Sequence, residues 1–255
     1  MALLSSQDVA IGGTNFVSSA APGQFDLGTR GYTRDGRVFR YVLNGGVALV
    51  AGEVIQSPAT IAGHLTRAVN TTSQTGSGST LIRLTCGSTV AAGFYAEGYL
   101  IIASGAGQGL TYQIASHPAV STGATGTFTL YDDDAIATPI TNTSTVSLIP
   151  NKYRGVIQAP VTTATGVAIG VACYPIAITQ YGWVQTWGPC GVRGGDTNAI
   201  GTLVDGVAST AGRARAFVTI GTSGDSTLYV GQALGYLLQT NVDGQFVAVD
   251  LRIAP

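Results

Sequence analysis

The groups able to do acid–base or nucleophilic chemistry are few and scattered. The chain holds two His (His64, His117), two Glu (Glu53, Glu97), one Lys (Lys152) and three Cys (Cys86, Cys173, Cys190). Catalysis needs groups of tunable pKa held together, and no spacing here gathers them. His64 follows Gly63 in a short polar context, and His117 precedes Pro118, a turn signal. Ser and Asp are available for a triad, but there is no G-x-S-x-G elbow, and no Cys has a papain-type or caspase-type context. The Cys residues lack CxxC spacing and His partners, which argues against zinc and predicts free thiols made in a reducing cytoplasm. Asp132-Asp133-Asp134 invites calcium, yet the spaced oxygen ligands and downstream Glu of a binding loop are missing, so it reads as a solvated turn. Nothing among the Asp residues selects a carboxylate pair for glycoside hydrolysis. Gly105-Ala106-Gly107-Gln108-Gly109 lies between two strand patterns and opens no helix, so it fails as a nucleotide loop. The expectation is a protein that is not an enzyme, with no cofactor, metal or small-molecule substrate.

Composition says what kind of scaffold would carry so little chemistry. Gly supplies 36 of 255 residues and charged residues only 10%, against about 25% in ordinary domains. β-Branched residues abound and strong helix formers other than Ala and Leu are nearly absent. This disfavours helix bundles and most α/β enzymes. Hydrophobic residues at 45% supply a core, which disfavours disorder. Net charge is −1, so no electrostatic footprint for nucleic acid is expected. The local cluster Arg30, Arg34, Arg37, Arg40 includes Asp35 and reads as a turn or inter-subunit feature. No basic, apolar leader opens the chain. The uncharged stretch Gly155 to Val192 is broken by Pro160, Pro175 and Pro189, so it reads as buried strands rather than a membrane span.

The elements follow from period and punctuation. Asp35-Gly36 introduces a strand at Arg37 to Leu43, and Asn44-Gly45-Gly46 turns into Val47 to Val50. The polar run from 71 to 79 opens a new block: 80–86, Gly98 to Ser104, Leu110 to Ser116, Thr125 to Tyr131 and Thr145 to Ile149. The final strand alternates Phe246, Ala248, Asp250, Arg252 against Val247, Val249, Leu251, Ile253, as a half-buried strand does. Helix finds a place only as a short piece within Ser57 to Asn70. The chain is therefore expected to be all-β: a β-barrel or sandwich body (30–70 and 150–255), an inserted small β-subdomain (71–149) and an extended N-terminal arm (1–29). The arm carries spaced apolar anchors, Phe16 and Phe25 among them, and is expected to order on a neighbouring subunit.

In Gln180 to Pro189 the odd positions Tyr181, Trp183, Gln185 and Trp187 share one strand face. Such a ladder can serve as a sugar or base platform, but more often as core or subunit interface. A surface poor in Lys and Glu loses little side-chain entropy when covered. The residues expected to make assembly contacts are Phe16, Phe25, Arg30, Arg37, Arg40, Tyr181, Trp183 and Trp187.

Three stretches resemble segments of structural proteins of tailed bacteriophages: Leu27 to Arg30 with Asp35 to Tyr41, Glu97 to Ala119, and Gln180 to Cys190. The resemblance implies a capsid decoration, or cement, protein. Such proteins are β-rich oligomers, commonly trimers, seated on the outside of the head, where they bridge neighbouring major capsid subunits. It implies no catalytic residues, and as partners the chain itself and the major capsid protein, with no nucleic acid and no membrane. It places the chain on the outer face of the virion after synthesis in the bacterial cytoplasm. The alternative is a tail- or fibre-associated virion protein that binds a receptor or glycan.

Overall fold

The computed structural model describes residues 8–12, 24–70, 76–161, 164–206, 210–216, 218–222, 226–230, 232–240 and 242–255, with backbone alone at 218–222 and 226–230. The fold is all-β. Among the described residues the helical structure is a single 3-10 turn at Ala62–His64, inside the stretch where the sequence leaves room for one. The strands are β1 (Val9–Ala10), β2 (Arg30–Tyr32), β3 (Val38–Asn44), β4 (Glu53–Gln56), β5 (Arg67–Ala68), β6 (Leu81–Thr85), β7 (Tyr99–Ser104), β8 (Thr111–Ser116), β9 (Thr125–Leu130) and β10 (Thr145–Ile149). They continue as β11 (Arg154–Gln158), β12 (Ala168–Ala172), β13 (Tyr181–Arg193), β14 (Leu203–Asp205), β15 (Arg215–Ala216), β16 (Val218–Thr222), β17 (Ser226–Val230), β18 (Ala233–Leu237) and β19 (Phe246–Arg252).

The chain divides into two compact units, 1–58 with 152–255, and 59–151. The first unit is built on a closed ring of five strands. β3 pairs β11, β11 pairs β4, β4 pairs β12, β12 pairs β13, and β13 returns to β3. Each strand contributes to one cluster: Val42, Val156, Ile55, Ile169 with Ala172, and Val184. A ring this small is filled by its own side chains. The opposite faces of β4 and β12 supply Val54 and Val171 to a second cluster, with Cys190, Val192, Val204, Leu234, Leu237, Val247, Val249 and Leu251. That second layer is the sheet β13–β19–β18–β14–β15. β13 serves both layers because it is 13 residues long. Its first half lies on β3 and its second half on β19.

The second unit is antiparallel throughout, in the order β5-β10-β7-β8-β9-β6. A bridge between Val69 and Leu84 joins the two ends into a barrel. The inward set follows the strict alternation legible in the sequence: Ile82 and Leu84, Leu100 and Ile102, Tyr112 and Ile114, Phe128 and Leu130, Val146 and Leu148. Gly105 opens the tight β7–β8 hairpin. Its φ is +83°, and a Cβ there would lie 2.7 Å from Ser144 Cα. The Gly-rich run Gly105 to Gly109 is thus a hairpin turn.

Two expectations are corrected. The inserted unit begins at Ala59 rather than 71. Residues 67–69 close its barrel through pairings with β10 and Leu84, and a strand of two residues carries no visible period. The described parts of the N-terminal arm fold onto their own body: β1 runs parallel to β2, and Ile11 and Leu27 are buried with Phe39, Tyr41 and Trp183. Spaced apolar residues mark something to be covered, and here the same chain covers them.

Candidate functional site

The titratable groups hold the structure together. Both His belong to the 59–151 barrel and both touch Tyr95. The Tyr95 hydroxyl lies 2.5 Å from His64 Nδ1, while His64 Nε2 lies 3.0 Å from the Ser88 carbonyl. A carbonyl only accepts, so Nε2 carries the proton and Nδ1 accepts from the phenol. His117 Nε2 accepts the Tyr95 backbone N–H at 2.9 Å, and its Nδ1 donates to the Pro118 carbonyl at 2.8 Å. All four ring nitrogens are committed to structure. Burial pushes the Tyr95 phenol far above its ordinary range, and it pushes the Cys86 thiol up as well. In the Asp132 to Asp134 run, Asp134 accepts the Gln113 backbone N–H. Among the described residues no three His, Cys, Asp or Glu side chains gather as a metal site would require, and no helix is long and apolar enough to cross a membrane.

In the body, buried Glu53 accepts the Val50 N–H at 2.9 Å and the Gln158 amide at 2.7 Å, and Arg193 approaches to 3.8 Å. This carboxylate closes the turn into β4. Gln185 is fully buried and donates to the carbonyls of Trp187, Gly188 and Pro189 at 3.0, 3.2 and 2.9 Å.

Most residues expected to make assembly contacts are engaged within the chain. Phe25, Tyr41 and Trp183 form one aromatic cluster, with ring centroids 5.1 to 5.4 Å apart, and Tyr181 stacks on Tyr41 at 5.6 Å. Trp183 is 3% exposed, so it leaves the candidate surface. Arg30 pairs with Asp8 at 2.6 Å, and Arg37 with Asp35 at 2.8 Å. The Thr33 hydroxyl and Arg37 hold the Asp35 carboxyl below its usual range. Arg40 donates to Gly28 O at 3.2 Å and Pro255 O at 2.9 Å. Phe16 lies outside the described residues.

Trp187 does not share the face of Tyr181 and Trp183. A bulge follows Gln185: Gln185 opposes Phe39, but Trp187 opposes Val38, so two residues of β13 face one of β3. One extra residue reverses the alternation. Trp187 turns instead to β19, where the Arg252 guanidinium lies 4.6 Å over its ring and is held by Asp250 at 2.6 Å.

Trp187 thereby joins a surface the sequence reading did not single out. Outward residues of β13 (Trp187, Pro189, Gly191) face those of β19 (Arg252, Asp250, Ala248) across the sheet. Beyond them Tyr236 opposes Asp250, and the Leu238 N–H donates to the Ala248 carbonyl. Phe246 is 56% exposed, Tyr236 50% and Leu238 45%. The outward charges are Asp250 and Arg252, which pair with each other, and Arg193 opposite Phe246, which approaches the buried Glu53 carboxylate at 3.8 Å. Large rings beside Pro, Gly and Ala make a low apolar face, with the second cluster packed beneath it. Its signal was present in the alternation of Phe246 to Arg252, whose outward set begins with a Phe.

Comparison with family models, with curated proteins and with solved structures finds no match.

Proposed function

We propose that this chain is a virion structural protein: a capsid decoration, or cement, subunit of a phage head. It associates with copies of itself, as a trimer, and bridges major capsid subunits from outside the shell. The apolar face of β13, β19 and β18 carries this reading. Tyr, Trp and Phe are favoured at interface centres because each buries a large rigid area for few rotamers. The neighbouring Pro, Gly and Ala let a second backbone approach closely. A net charge of −1 leaves little repulsion between copies. Each contact is modest, and several engaged together become strong through effective concentration. The segments that resemble phage head proteins, taken in order, support the same assignment.

Tyr236→Asp and Phe246→Asp test it. Each places a charge on the face without touching the core, so the melting temperature of the subunit should barely move. Sedimentation should show the wild-type oligomer dissociate in the variants, and copies on purified particles should fall. An unchanged oligomer together with unchanged occupancy would overturn the proposal. Its location in a purified particle separates it from the tail-associated alternative: copies spread over the shell against a handful at one vertex. The glycan-binding form of that alternative needs an open aromatic platform. Trp183 is buried and Trp187 lies under Arg252, which leaves the exposed rings of Tyr236 and Phe246 for that role, and a glycan array tests it.

A further inference from the structure

Two of the three thiols meet inside the body. Cys173 Sγ and Cys190 Sγ are 3.7 Å apart, and the residues are separated by 17 positions. Cys190 is buried in β13, just past the bulge. Cys173 sits in a bend directly after β12 and is partly exposed, next to the exposed Tyr174. A disulfide needs a sulfur–sulfur distance of about 2 Å, and a bend can supply that movement where a central strand cannot. The surroundings are polar on the Cys173 side, where its Sγ lies 3.3 Å from Gln185 Oε1. Arg37 passes the same region, since a Cβ on Gly188 would lie 3.3 Å from Arg37 Cγ.

We infer that Cys173 and Cys190 are a disulfide-forming site that staples the end of β12 to the second half of β13 when the protein meets a peroxide. Contact with Cys190 and the Arg37 charge hold the Cys173 thiol below its ordinary range against the effect of burial, while Cys190 is pushed up by Cys173 and by burial. Cys173 is the thiol that peroxide reaches, since it is partly exposed in the bend while Cys190 is buried in β13, and Cys173 is the nucleophile. Its thiolate attacks one oxygen of hydrogen peroxide; the O–O bond breaks and hydroxide leaves, giving a sulfenic acid at Cys173. The Cys190 sulfur then attacks the Cys173 sulfur. The S–O bond breaks, hydroxide leaves, and the proton from Cys190 converts it to water. Two thiols are oxidised and one peroxide is reduced. Cys86, fully buried in the other unit with its pKa raised, stays reduced. The inference does not depend on the assembly reading.

The full chain is treated with hydrogen peroxide, alkylated under denaturing conditions and digested without reductant. The expected product is a cross-linked peptide joining Cys173 and Cys190, lighter by two hydrogens, with Cys86 alkylated. The urea midpoint of the 1–58/152–255 unit should rise on oxidation and return with reductant, because cross-linking restricts the unfolded chain. In Cys190→Ser, dimedone should label Cys173 as the trapped sulfenic acid. Cys190→Ala, a small apolar replacement in a buried site, serves if the Ser variant does not fold. Alkylatable Cys190 after peroxide treatment of wild type, or labelling at Cys86 in place of Cys173, would overturn it.

Discussion

At the scale of single residues, the buried polar side chains show where backbone has left its regular pattern. Gln185 answers three carbonyls that the bulge and Gly188, with φ of +82°, turn away from the ladder. Gln185→Leu should destabilise the body by about 3 kcal/mol, the cost of leaving buried acceptors unmade, read as a lowered urea midpoint. Tyr95 gives a pH prediction with a definite sign. Its folded pKa lies above that of the unfolded phenol, near 10. Above that pH the folded state binds more protons than the unfolded one, so stability falls as pH rises and is flat below. Alkaline melts of the 59–151 barrel should show this loss. Tyr95→Phe should reduce the slope while costing about 1–2 kcal/mol at neutral pH for the lost His64 bond. Neither role was legible in the sequence, because what faces Gln185 or His64 is set by residues far along the chain.

At the scale of elements, alternation located strands well and failed where a strand breaks its own period. The final strand and the five strands β6 to β10 show the burial that their patterns imply. The aromatic strand does not, since the bulge after Gln185 places Trp187 on another face from Trp183. β5, two residues long, was invisible for want of a period. At Gly235 the backbone of β19 leaves β18 no room for a side chain: a Cβ there would run into the Asp250 carbonyl oxygen. Gly235→Ala should separate β18 from β19 and cost about 2–3 kcal/mol, as a steric conflict between backbones does. Hydrogen exchange should show lost protection at Leu238, whose N–H donates to the Ala248 carbonyl of β19, while Leu237, bonded to Thr202, and the five-stranded ring keep theirs.

At the scale of the molecule, the two units have separate cores. The 59–151 barrel closes on itself and buries Ile82, Leu100, Ile114, Phe128 and Leu148 without help from the other segments. Expressed alone, it should give a cooperative melt and a β-type circular dichroism spectrum; a non-cooperative transition would show that it needs the body. Removing residues 1–29 should destabilise the body, because Ile11 and Leu27 leave the cluster around Trp183. That outcome differs from the one a free arm would give.

Composition and period by themselves determined that the chain is all-β and poor in catalytic groups. Those properties are local: β-branched residues, Gly turns and alternation act within a few positions. Which aromatic residues are covered and which remain open was decided only in three dimensions. The N-terminal segment covers Trp183, a single extra residue in β13 redirects Trp187, and the distant strand β19 is laid beside β13 so that Arg252 meets Trp187. A side chain's exposure depends on what long-range pairing lays across it, and strand register, which one residue can reverse, sets that pairing.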